Sequence, residues 1–142
     1  MREKIDELTE TCKRVQAEFE NYQKRIDREK AGFMALSKAG LVAELLPVLD
    51  SMDGAIENSE GREKEGMVLM RAKLLDALKG EGLSEIPAEG KFDAGFHEVM
   101  MKESRNEKED GIILKQFQKG YALSGKVIRP AKVVVNCVNG GE

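Results

Sequence analysis

His97 and Glu98 stand side by side in the sequence, a dyad that could pass a proton, and His97 is the single histidine of 142 residues. No third group is placed to orient the pair, so a structural hydrogen-bonding role is expected rather than acid–base work. Cys12 and Cys137 lie far apart and belong to no CxxC pair. That argues against a zinc site or a disulfide framework and fits a reducing compartment. The phosphate-loop, HExxH, GxSxG and EF-hand spacings are all missing. The chemistry that does stand out is electrostatic. Between Gly111 and Gly141 there are five basic residues, Lys115, Lys119, Lys126, Arg129 and Lys132, and no acid. Those five charges, against a whole-chain net of −3, leave the remainder at −8. A basic segment on an acidic protein points to binding of an acidic surface, by docking and not by catalysis.

Such a segment needs a scaffold, and composition bounds which kind. Charged residues make up 35% of the chain and aromatics 5%, with three Pro and no Trp, which leaves either disorder or elongated helix with a thin core. Periodicity decides for helix. Apolar residues recur at Ile5, Leu8, Cys12, Val15, Phe19, Tyr22 and Ile26 with alternating spacings of three and four, an a/d heptad seam. So narrow a seam suits one partner helix, and a second copy of the chain supplies it most simply. Cys12 reads as a small apolar seam residue. The spacing predicts a helix over about 2–37, roughly 50 Å long. A bend or break is expected near Ser37–Gly40, because Gly32 and Gly40 each cost ~1 kcal/mol relative to Ala. No run approaches ~18 apolar residues, so no membrane span is expected. The start, MREKIDELTE, lacks the apolar stretch of a signal peptide.

From Leu41 the apolar stripe broadens through Leu45, Val48, Leu49, Met52 and Ile56, with Pro47 inside it. Asn58–Gly61 reads as a turn. A second helix is expected over 63–79, carrying Met67, Met70, Leu74, Leu75 and Leu78 on one face and stopped by Gly80 and Gly82. Two short helices with broad stripes cannot bury their own faces, and two copies docked together would give a four-helix bundle. The dimer interface is accordingly expected along the heptad seam and through Leu45, Leu49, Met52, Leu74 and Leu78. After Gly82 the period changes. Strands are expected near 97–102, 112–118 and 126–135, separated by turns such as Asn106–Gly111 and Ser124–Gly125. The fold class is therefore α+β: a long coiled-coil helix over 1–38, a helical hairpin over 39–82 and a small all-β domain over 83–142.

Four stretches resemble one family closely: RVQAEFENYQKR at 14–25, ELLPVLDSMDGAI at 44–56, the F-D-x-x-x-H element of Phe92, Asp93 and His97, and GYALSGKVIRPAKVVV at 120–135. In order and spacing they are similar to the GrpE nucleotide-exchange factors of DnaK-type chaperones, over nearly the whole chain. The family signature falls on Phe92, Asp93, His97, Gly120, Tyr121, Gly125, Ile128 and Arg129. Val99 stands where the family usually has Ala, Lys126 where many members have Arg, and Gln23-Lys24-Arg25 where members carry an Arg-rich run.

The resemblance implies paired long helices, a four-helix bundle at a homodimer interface and one β-domain per protomer. It also implies an adenine-nucleotide exchange factor of the cytoplasm, supporting protein folding and the heat-stress response. Such a protein docks through its β-domain on the chaperone's ATPase domain and holds the nucleotide cleft open so that ADP leaves. The long helices are associated in the family with release of unfolded polypeptide and with heat sensing. No cofactor, metal, membrane or nucleic acid is expected. Within the segment 117–133 the expected contacts are Phe117 and Val133 as apolar anchors and Lys126 and Arg129 as charge donors. The competing reading is a dimeric coiled-coil adaptor whose basic β-domain binds another acidic partner.

Overall fold

The computed structural model describes residues 1–138 and comprises two helices followed by six strands. They are α1 (Arg2–Glu57), α2 (Gly61–Gly80), β1 (Leu83–Glu85), β2 (His97–Glu103), β3 (Ile113–Gln118), β4 (Tyr121–Leu123), β5 (Lys126–Arg129) and β6 (Ala131–Asn136). The chain divides into two compact units, Met1–Gly40 and Leu41–Glu142.

In the first unit the seam residues Ile5, Leu8, Val15, Phe19, Tyr22 and Ile26 lie between 39% and 60% exposed. Of the bend or break expected near Ser37–Gly40, the break does not occur, since α1 is helical without interruption to Glu57. Each glycine adds about 1 kcal/mol of cost, but propagation regains a hydrogen bond per residue and carries the helix through. Pro47 likewise sits inside α1 without ending it.

Lys38 and Glu44 are the only charged residues between Lys30 and Asp50. An eighteen-residue window of α1 reaches a mean hydropathy of 1.5, enough by length and composition alone to cross a membrane. Counting only unbroken apolar runs overlooks such a window. Its buried residues, Val42, Leu46 and Leu49, face protein.

In the second unit the C-terminal part of α1 and α2 form the hairpin. Val42, Leu46 and Leu49, spaced four and three apart, are buried on α1, and Leu75 and Leu78 on α2. Leu49 is 0% and Leu78 7% exposed within one protomer. Both side chains are thus enclosed by their own chain. Leu45, Met52 and Leu74 remain half-buried.

The β-domain holds two three-stranded sheets, β1-β4-β5 and β2-β6-β3. The first is antiparallel throughout. In the second, β6 lies in the middle, parallel to β2 and antiparallel to β3. The single strand expected over 126–135 is in fact two, parted at Pro130, which has no N–H to donate to a ladder. Ile86, Ala122, Ala131, Val133 and Val135 form the core, with Phe92, Val99 and Ile113 packed against it.

Candidate functional site

The β-domain begins two residues after α2, across Glu81 and Gly82. Gly82 has φ +101, and a Cβ there would meet the Ser124 hydroxyl at 2.7 Å. Ser124 and Gly125 both have positive φ, +51 and +83, the backbone of a two-residue type I′ hairpin between β4 and β5. Ser124 N–H donates to the Gly82 carbonyl at 2.9 Å, tying the hairpin to the linker. Lys126, the first residue of β5, emerges from that turn exposed. Phe117 on β3 is 51% exposed, with the Lys115 ammonium 5.2 Å from its ring centre.

The other two expected contact residues are turned inward. Val133 is 0% exposed, because the inward-facing positions of β6 put Ala131, Val133 and Val135 into the core. Arg129 is committed to its own chain. Its Nη1 and Nη2 donate to the two carboxylate oxygens of Asp50 on α1, at 2.6 and 2.7 Å. Nη2 and Nε also donate to the Lys119 carbonyl, at 2.6 and 3.1 Å. This planar fork against a carboxylate is what Arg supplies and Lys does not.

A second arginine mirrors the first. Arg71 on α2 donates to Asp53 at 2.5 Å and to Glu85 on β1 at 3.0 Å, and its Nη2 lies 3.3 Å from the Tyr121 hydroxyl. Burial alone would lower the Arg71 pKa, and the hydrogen bonds to Glu85 and Asp53 outweigh it, so the pKa is raised. Tyr121 is fully buried between the two cations, with the Arg129 guanidinium 5.4 Å from its ring centre. Burial disfavours the phenolate, and the Tyr121 pKa is pushed up to about 12. Lys119 approaches Asp53 and Glu85 at 3.9 and 4.0 Å. Part of the basic run thus meets acids of its own protein. Sequence reasoning missed Asp50, Asp53, Arg71 and Glu85. The available signal was two carboxylates, three apart, beside the buried stripe of α1.

The signature residues hold the fold. His97 is buried, its Nδ1 accepting from Asp93 N–H at 3.0 Å and its Nε2 bonding the Pro87 carbonyl at 2.7 Å. The network assigns the proton to Nε2. Glu98 is exposed beside it, so the two do not form the expected bonded pair. Asp93 also caps its own turn, with Oδ1 accepting from Gly95 N–H at 2.8 Å. Gly120 is required by a close approach, since a Cβ there would fall 2.3 Å from Ala131 N. Ile128 is half-buried. Asn136, unmarked by the sequence reading, is 1% exposed. Its amide donates to the carbonyls of Arg105, Lys108 and Glu109, and its Oδ1 accepts from Arg105 N–H. One side chain thereby shapes the charged loop before β3.

Fold and site together define an α+β protein in which a helical hairpin carries a two-sheet domain through interlocked arginine–carboxylate pairs. The GrpE family model matches residues 1–137. Protein GrpE of Clostridioides difficile is 38% identical over 141 residues, covering 96% of this chain and 68% of that one. Protein GrpE of Francisella philomiragia is 40% identical over 147 residues, covering 94% and 77%. Protein GrpE of Methanothermobacter thermautotrophicus is 38% identical over 130 residues, covering 91% and 74%. The chain belongs to the GrpE family, co-chaperones that work with DnaK-type chaperones in protein folding and the stress response.

Proposed function

We propose that this protein is a cytoplasmic, homodimeric adenine-nucleotide exchange factor, which binds the ATPase domain of a DnaK-type chaperone and promotes release of ADP. The observation that carries the docking surface is the division among the candidate side chains. Lys126 and Phe117 face outward, while Arg129 and Val133 are held within the fold. Lys126 at the hairpin tip supplies the charge and Phe117 the apolar anchor.

An exchange factor needs no catalytic group. It must bind the open, nucleotide-poor chaperone more tightly than the closed, ADP-bound one. Nucleotide then weakens the factor's binding by the same ratio. A hundredfold faster release corresponds to ~2.7 kcal/mol of barrier lowering, within reach of a few apolar contacts and charge-assisted bonds.

The dimer rests on the exposed seam of α1 and on the apolar groove lined by Val48, Met52, Ala55, Met67 and Met70 between the helices of the hairpin. The apolar window of α1 is accordingly a protein-packing helix, and no membrane is involved.

Stopped-flow release of fluorescent ADP from a matched DnaK-type chaperone tests the reading. Acceleration that saturates with dimer concentration is expected. Lys126→Glu should raise the half-saturating concentration at least about tenfold, as loss of a docked charge pair does, with the dimer intact. Binding without acceleration by the wild-type dimer would return the protein to the adaptor class, and unchanged affinity in Lys126→Glu would remove that residue from the contact.

A further inference from the structure

The chain passes from hairpin to β-domain through only Glu81 and Gly82, and Gly82 takes a backbone conformation that few other residues adopt. Backbone hydrogen bonds hold this link to Leu78 and Lys79 on one side and to Ser124 on the other, and contacts elsewhere must help to set the angle. Polar contacts cross the other side of the junction. Asp50 and Asp53, three apart on α1, each take one arginine. Arg129 comes from β5, while Arg71 comes from α2 and also holds Glu85 of β1. Gln118 adds a hydrogen bond to Asp50 at 3.1 Å. Between the arginines, Tyr121 touches one with its ring face and the other with its hydroxyl.

Apolar contacts can slide, whereas a two-pronged guanidinium–carboxylate pair holds only one relative orientation. The Arg129 and Asp50 side chains are 18% and 27% exposed, so both are largely withdrawn from water. Pairs in that setting add little net stability over apolar substitutes, and their attested use is to specify geometry.

We propose that Asp50 and Arg129 are positioning residues that lock the angle of the β-domain on the helical hairpin, and that this lock makes docking open the chaperone's nucleotide cleft instead of merely occupying its surface. The functional half rests on the exchange-factor reading. A β-domain swivelling on Gly82 would bind the closed and open chaperone nearly alike, and a ligand with equal affinity for two states shifts neither. Rigidity is therefore expected in the maximal rate, and docking contacts in the half-saturating concentration.

The test uses the full-length dimer in a Cys12→Ser/Cys137→Ser background. Spin labels at Asp76→Cys on α2 and Lys102→Cys on β2, both exposed sites, report the angle by pulsed dipolar spectroscopy. One labelled protomer is diluted into excess unlabelled protein. Asp50→Asn should at least double the width of the distance distribution. At saturation it should lower the maximal rate of ADP release about tenfold, while half-saturation moves less than about threefold. Asp50→Glu, which keeps the carboxylate, should retain most of the wild-type rate.

Should Asp50→Asn fail to fold, the neutral double variant Asp50→Asn/Arg129→Gln removes the pair without stranding a buried charge, and the same shifts are expected. An unchanged width overturns the proposal. So does a wider distribution with an undiminished maximal rate, and so does a parallel loss of rate and affinity that tracks unfolding. If the wild-type dimer does not accelerate ADP release at all, the exchange-factor reading falls and the functional half falls with it. The distance distribution then decides the lock by itself.

Discussion

Gly120 and Tyr121 are neighbours with opposite requirements, one for space and the other for company. The backbone of Ala131 lies where a Gly120 side chain would go, so Gly120→Ala must push two strands apart. A cost of about 2 kcal/mol or more is expected, seen in thermal unfolding as a β-domain transition lowered by roughly 10 °C. Tyr121 couples the junction to pH. Its folded pKa of about 12 lies above the ordinary value near 10. The folded state thus keeps a proton that the unfolded chain loses, so its contribution is complete below pH ~10 and declines as pH rises towards 12. Tyr121→Phe should flatten this alkaline loss, measured as urea midpoints across that interval. At neutral pH the variant should cost about 1 kcal/mol, for the missing hydroxyl contact with Arg71. These roles were only half legible in the sequence. GYALSGKVIRPAKVVV shows which residues matter, and the Ser-Gly turn can be read directly from it. Which way Arg129 and Val133 face cannot, because Pro130 separates two strands that look like one.

At the scale of elements, period and length decide what is legible. The heptads of α1 and the stripe of α2 repeat often enough to be read, as do β2 and β3. The strands β1 and β4 have three residues each, and β4 is buried along its whole length. Neither offers the alternation that would mark a strand. The glycines of α1 predict a bend or break, and the helix assignment runs through them unbroken. No atom lies within 4 Å of a Cβ placed on Gly32 or Gly40, so packing does not require either glycine. Gly40→Ala should stabilise this stretch by ~1 kcal/mol. Circular dichroism should show part of the helical signal lost below the main transition in the wild type, and this early phase moved upward in Gly40→Ala. A single late transition in both proteins would contradict it.

For the whole molecule, the exposed seam and the open hairpin groove are apolar surface that one copy of the chain leaves uncovered. Sedimentation at micromolar concentration should give twice the 15.8 kDa chain mass. Phe19→Glu, which sets a charge at the seam, should weaken association while leaving the β-domain's transition in place. The expectation of a dimer can be read from the sequence, because an unpaired stripe is visible as a pattern. The junction cannot, because Asp50 on α1 and Arg129 on β5 are 79 positions apart and no local period links them.

The placement of β6 has a consequence for biosynthesis. Among the described strands it comes last in the chain, yet it is the middle strand of its sheet, lying parallel to β2 and antiparallel to β3. Until it leaves the ribosome, β2 and β3 have no partner in that sheet and the core lacks Ala131, Val133 and Val135. The helices, made first and stabilised by local contacts, need not wait. In the proposed dimer two nascent chains would therefore pair through their helices before either has a β-domain, and a chain ending before Ala131 would associate with copies that carry one. In a mixed dimer such a subunit would leave one docking arm in place of two.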